Sequence, residues 1–118
     1  YTRSGSTWTQ VQKLTASDGA GSDIFGNSVS IDDNTIAIGA AFDDDNGTTS
    51  GSVYIFKYNG STWDQVKKIS GAAAGDRFSE NVIHIDATTG TIAVGSGRAT
   101  GTNSTATAGA VFVYKAYT

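Results

Sequence analysis

The sequence predicts an all-β protein built from two copies of one small antiparallel sheet. Three observations carry that prediction. The run Gly-Ser-Thr-Trp-x-Gln-Val-x-Lys occurs as Gly5–Lys13 and again as Gly60–Lys68, an offset of 55 residues, and an internal period of this size marks a repeat architecture. Short apolar runs alternate with clusters of Gly, Asn, Asp and Ser, and no segment shows a helical apolar period. Several runs are apolar on both faces, which a sheet with one wet face does not tolerate.

Taken in order, Thr7–Leu14 reads as a strand with no sheet of its own ahead of it. Ser28–Asp32 alternates, with Val29 and Ile31 on one side, and Asp33-Asn34 makes a tight hairpin because both residues tolerate positive φ. Thr35–Ala40 follows, with Ile36 and Ile38 on one face and Ala37 and Gly39 on the other. After a polar loop, Ser52–Tyr58 carries Val-Tyr-Ile-Phe, and Asn59-Gly60 turns the chain into Trp63–Ile69. That is a four-stranded meander. The second copy repeats the order with Val82–Asp86, Thr91–Gly95 and Ala110–Lys115, and its fourth strand is missing.

Strands greasy on both faces, with Ala and Gly where crowding would occur, belong between neighbouring sheets. Radial stacking of four-stranded meanders is the β-propeller, in which each sheet is a blade. The expected organisation is therefore 1–14 as the outer strand completing a neighbouring or last blade, 15–69 as the first blade, and 70–118 as a second blade lacking its fourth strand. The two blades are cut out of phase, and two cannot close a ring. They are expected to form part of a larger propeller or of a head-to-tail assembly in which Thr7–Leu14 of one copy completes the sheet of the next, as a ring or a filament. The chain contains no methionine, so a processed or excised piece is expected.

Composition removes several function classes. The formal net charge is −3 and the cations are scattered, which argues against nucleic acid and against an anionic membrane surface. No apolar run approaches the ~20 residues of a spanning helix, so no membrane insertion is expected. Cysteine is absent, removing disulfides and thiolate chemistry. Abundant Gly, Ser, Thr, Asp and Asn with sparse Lys fits a secreted or surface protein, and Asn46, Asn59 and Asn103 stand in Asn-x-Ser/Thr sequons.

Phe25-Gly26 before the first strand, Gly39-Ala40-Ala41 after the second, and Gly51-Ser-Val-Tyr-Ile-Phe resemble the FG-GAP repeat. This is the blade of the integrin α-subunit propeller and of many bacterial surface proteins. The Trp-x-Gln element, the Leu-Thr-Ala-Ser-Asp-Gly loop and the Asp-Asp-Asp-Asn-Gly loop resemble its bacterial form more closely. The second copy departs from the pattern: Phe78-Ser79 replaces Phe-Gly, Gly95-Ser96-Gly97 replaces Gly-Ala-Pro, and Arg98–Ala108 replaces the acidic loop. The resemblance implies adhesion, ligand binding or surface structure, and some relatives bind carbohydrate or are non-catalytic parts of enzymes.

The loop Asp43-Asp44-Asp45-Asn46-Gly47 is the candidate calcium site, since calcium takes about six to eight oxygen ligands around a tightly turned loop. Its spacing is irregular, with Gly47 where a third alternate ligand would stand. The bland alternative is a solvated turn with local Asx hydrogen bonds. Integrin-type blades carry calcium between their first two strands, where Asp32-Asp33-Asn34-Thr35 is too short to wrap an ion. Trp8 and Trp63 could stack on sugar rings, but their equivalent places after a turn favour repeated packing. Phe25 and Phe78 are expected to plug the space between blades, and Gly26, Gly39 and Gly51 to serve the fold. His84, the one histidine, lacks the partners of a metal site or a triad. Asp76, Arg77 and Glu80 read as surface ion pairing, and Gly19-Ala20-Gly21 as a connection with no helix behind it for phosphate binding.

The sequence thus predicts a non-enzymatic, extracellular propeller module for adhesion, ligand binding or surface structure, partnered by itself or by further blades and by a protein or glycan ligand. A carbohydrate-binding lectin and a non-catalytic part of a secreted enzyme are the alternatives.

Overall fold

A computed structural model of the chain describes residues 1–71, 73–99 and 109–115. Among them there are nine strands and no helix: β1 (Thr2–Ser4), β2 (Thr7–Thr9), β3 (Val29–Asp32), β4 (Thr35–Ala40), β5 (Ser52–Tyr58), β6 (Trp63–Ser70), β7 (Ile83–Asp86), β8 (Thr91–Ser96) and β9 (Ala110–Lys115). They form a hairpin β1-β2, a four-stranded meander β3-β4-β5-β6 and a three-stranded meander β7-β8-β9, all antiparallel. The two meanders match the expected strand boundaries to within one residue.

The N-terminus differs from expectation. Only Thr7–Thr9 of the expected strand Thr7–Leu14 is extended in a sheet, and it pairs with Thr2–Ser4 across Gly5, whose φ is 61°. A two-residue turn supplies a partner locally, at little loop-closure cost. Beyond it the chain runs past β6, where the Gln12 amide donates to Trp63 O at 3.0 Å and accepts from Trp63 N at 2.9 Å.

Alternation along β5 decides how the meanders pack. Val53 and Ile55 point one way and join Ala37 and Ile69; Tyr54 and Phe56 point the other way with Ile38. The first group is covered by Ile83, Ile85, Ile92 and Val94 of the three-stranded sheet, with Phe78 between the two layers. The back of the first sheet therefore lies on the front of the second. Burying this layer supplies the main drive for folding, at roughly 25 cal/mol per Å² of apolar area. Polar bridges fix the register: Ile85 N donates to Ser30 Oγ at 3.3 Å and Ala87 N to Asp32 Oδ2 at 2.7 Å.

A β-bulge interrupts β6. Ile55 pairs with Lys67 while Phe56 pairs with Gln65, leaving Val66 as the extra residue. Trp63, Gln65 and Lys68 consequently share the front face, and Ile69 reaches the core at the back. Regular alternation from Trp63 would have sent Lys68 into the apolar layer.

Candidate functional site

A polar cage lies on the front of the first sheet, at the mouth of the β4–β5 loop. Asp43 and Asp45 come from that loop, Asp18 from the turn leading towards β3, and Tyr54 and Lys68 sit opposite each other on β5 and β6. The Lys68 ammonium is 2.6 Å from Asp18 Oδ2, 2.9 Å from Asp43 Oδ2 and 2.6 Å from Asp45 Oδ2. Three N–H donors thus meet three carboxylates. Tyr54 OH lies 2.8 Å from Asp18 Oδ1 and 3.0 Å from Asp43 Oδ2, so its single proton is shared between two acceptors. The ammonium also stands 5.0 Å from the centre of the Tyr54 ring.

Asp43 is the pivot. Its side chain is almost fully buried, whereas those of Asp18 and Asp45 are about half exposed. Its Oδ1 accepts from Asp45 N and from Ser52 Oγ, both at 3.1 Å, so neither carboxylate oxygen is left unpaired.

Ionisation follows from this geometry. The Lys68 hydrogen bond, then that of Tyr54, holds Asp18 below its ordinary 3.8. Burial works to raise Asp43, but Lys68, the Asp45 N–H and Tyr54 more than offset it, and it too lies below 3.8. Burial works to lower Lys68, yet its three carboxylate partners hold it above 10.5. Burial, then the neighbouring carboxylates, pushes the Tyr54 phenol above 10.0. At neutral pH the cage therefore holds a charged Lys68 against ionised Asp18 and Asp43.

One oxygen from each of Asp18, Asp43 and Asp45 lies within 4.8 Å of the others, an arrangement that could hold a cation. As the side chains stand, the Lys68 ammonium fills its centre. The expected ligand run Asp43–Asn46 is split: Asp43 and Asp45 enter the cage, but the exposed Asp44 does not. Asn46 turns away and ties its loop to the inter-sheet connection, donating to Gly71 O at 2.9 Å. Sequence reasoning missed Asp18, Tyr54 and Lys68. The signals available were the aspartate of the Leu-Thr-Ala-Ser-Asp-Gly loop and the lysine that ends each repeated run, but the residues lie 50 apart in the chain.

Phe78 lies between the two sheets, 5.5 Å from Phe112 and 6.1 Å from Tyr114. Phe25 makes the same pair of edge contacts with Tyr54 and Phe56, at 5.3 and 6.2 Å, on the front of the first sheet. It therefore does not lie between the two sheets described. Trp63 packs on Tyr58 at 5.4 Å and lines a groove of about 390 Å³ with Ile31, Ile36, Val11 and Leu14. Trp8 is exposed, with the Arg3 guanidinium 5.9 Å from its ring centre.

Gly39 and Gly51 hold the sheets at close approach. A Cβ at Gly39 would meet Ser79 Oγ at 2.7 Å, and one at Gly51, where φ is 83°, would press on the backbone of Phe78. Gly26 N donates to Gly39 O at 2.8 Å. His84 is exposed on β7. Arg77 pairs with Glu80 at 2.9 Å, while Asp76 is buried and outside that pair. The turn at Gly19 is closed by Asp23, whose Oδ2 accepts from Ala20 N at 2.8 Å. The Asn59 amide is engaged in its own turn, donating to Thr62 and Asp64. The Asn103 sequon and most of Arg98–Ala108 lie outside the described residues.

The second sheet does not rebuild the cage. Gly39 N bonds Ser28 O as Gly95 N bonds Val82 O, and Gly51 N bonds Asp43 O as Gly109 N bonds Ala99 O. Ala99 therefore stands in the place of Asp43, and Phe112, paired with Val94 as Tyr54 is with Ile38, stands in the place of Tyr54.

Two equivalent phenylalanine-plugged meanders stacked back to front define an all-β repeat protein. Residues 8–56 match the family model of the FG-GAP repeat. No curated protein and no solved structure is significantly similar to the chain.

Proposed function

We propose that this chain is a non-enzymatic, extracellular propeller module whose blades stack on further blades, offered by a second copy or by more of the same chain, and whose loops serve adhesion, ligand binding or surface structure. One comparison carries the stacking. Val29 and Ile31 occupy the positions of Ile83 and Ile85, yet they are 63% and 62% exposed against 5% and 3%. At β3 the front of the first sheet is raw where the matching strand of the second is covered. The back of the second sheet is raw too, with Val111 and Val113 70% and 64% exposed. The existing junction joins one such back to one such front, so the two raw faces are complementary in kind.

The extracellular setting is supported by the FG-GAP match and the Gly-, Ser- and Thr-rich composition; no helix among the described residues is long and apolar enough to cross a membrane. The non-enzymatic reading is supported by the polar cage, whose groups are committed to one another. Calcium takes second place: the three carboxylates favour it, but it would enter only if Lys68 swung out.

Light scattering across a concentration series tests the stacking. The purified chain is expected to exceed the mass of one copy, and Val111→Lys with Val113→Lys to return it to one copy. A wild-type chain that stays single at high concentration would overturn association between copies.

A further inference from the structure

We propose that Lys68 is the resident cation of the acidic cage, standing where a metal ion would otherwise be needed, so that this blade holds its β4–β5 loop without calcium. The inference rests on the placement of one nitrogen. Calcium requires about six to eight oxygens at roughly 2.3–2.6 Å around one centre. Here the carboxylate oxygens that could supply that centre already converge on the Lys68 ammonium at 2.6–2.9 Å, the spacing of charge-assisted hydrogen bonds. The ion and the ammonium cannot share the space.

Three features show that the lysine is built into the position. The bulge at Val66 switches the parity of β6 and delivers Lys68 to the front face opposite Tyr54. The ammonium stands 5.0 Å from the centre of the Tyr54 ring, and both it and the Tyr54 hydroxyl donate to Asp43 Oδ2. The tether also makes the cation's presence independent of the concentration of any free ion. The second sheet supplies an internal contrast, because Ala99 and Phe112 leave no cage there to be neutralised.

Removing the ammonium leaves three carboxylates within 4.8 Å of one another, a like-charge cluster that resists folding and attracts a divalent cation. The proposal is tested on the purified chain with calcium, EDTA and terbium. Terbium is a calcium stand-in whose luminescence a phenol as close as Tyr54 would sensitise. For the wild type, Tm is expected to stay within about 1 °C between 5 mM calcium and 5 mM EDTA, with no saturable terbium signal. Lys68→Met is expected to lower Tm in EDTA by about 5 °C or more, to recover part of that loss with calcium, and to gain a saturable terbium signal.

A wild-type Tm that rises with calcium, or a saturable wild-type terbium signal abolished by Asp43→Asn, would overturn the proposal. So would a Lys68→Met variant as stable in EDTA as the wild type. Should Lys68→Met not fold under either condition, the wild-type titrations still decide. These readouts do not depend on association, so they fail or succeed separately from blade stacking.

Discussion

A lysine clasped by three aspartates makes stability answer to pH at two distant limits. Asp18 and Asp43 lie below 3.8, so their contribution is present above that value and is lost as pH falls through their lower folded values. Lys68 lies above 10.5, so its contribution is present below that value and is lost only as pH rises through its higher folded value. Thermal melts are expected to be flat with respect to the cage from about pH 5 to pH 9 and to weaken near pH 3. In Lys68→Met the acid side changes sign: crowded carboxylates hold on to their protons, and the variant should gain stability from pH 7 towards pH 4. A variant that weakens with the wild type over that range would contradict the assignment.

Ser79 is a second informative residue. It takes the place of Gly26 in the second copy and keeps a positive φ of 75°. Its hydroxyl offsets the strain by donating to Ser52 O at 2.9 Å inside the junction. Ser79→Ala keeps the strain and loses the bond, so a loss of about 1 kcal/mol is expected in urea melts. Ser79→Gly loses the bond and relieves the strain, so it should be the milder substitution.

Among the elements, residues 73–80 hold the sheets together. Phe78 is buried against both layers, and its backbone N donates to Ser50 O at 2.9 Å, alongside Gly51. Phe78→Ala should cost about 3–5 kcal/mol through the cavity it opens. Gly51→Ala should cost about 2 kcal/mol or more, because the new Cβ meets backbone at positive φ. Phe25→Ala should cost less than Phe78→Ala, since only one sheet lies behind the Phe25 ring. Equal losses would show that the two plugs do equivalent work in the isolated chain.

Across the whole molecule, two raw faces predict association, and the cage predicts how well identical copies fit. Lys13 holds the place of Lys68 one repeat earlier. If the N-terminal strand of a second copy completed β9, Lys13 would meet Phe112 and Ala99 in place of Tyr54 and Asp43. A cation brought against apolar groups without acids costs desolvation and gains only ring contact. Lys13→Met is therefore expected to tighten self-association several-fold in sedimentation or scattering. Unchanged or weaker association would exclude that strand as the link between copies.

The sequence by itself determined the repeat, the order of the strands and the alternation along the strands of each meander. These follow from short-range periodicity and turn chemistry, which neighbouring residues express. The tertiary structure alone decided the cage and the course of the N-terminus. Asp18, Asp43, Tyr54 and Lys68 meet only when the meander closes across 50 residues, and a bulge of one residue chooses the face on which the lysine emerges. Residues 7–14 carry a strand pattern, but extended backbone forms a sheet only where a partner edge is within reach. The nearest edge for Thr7–Thr9 is the chain's own first four residues.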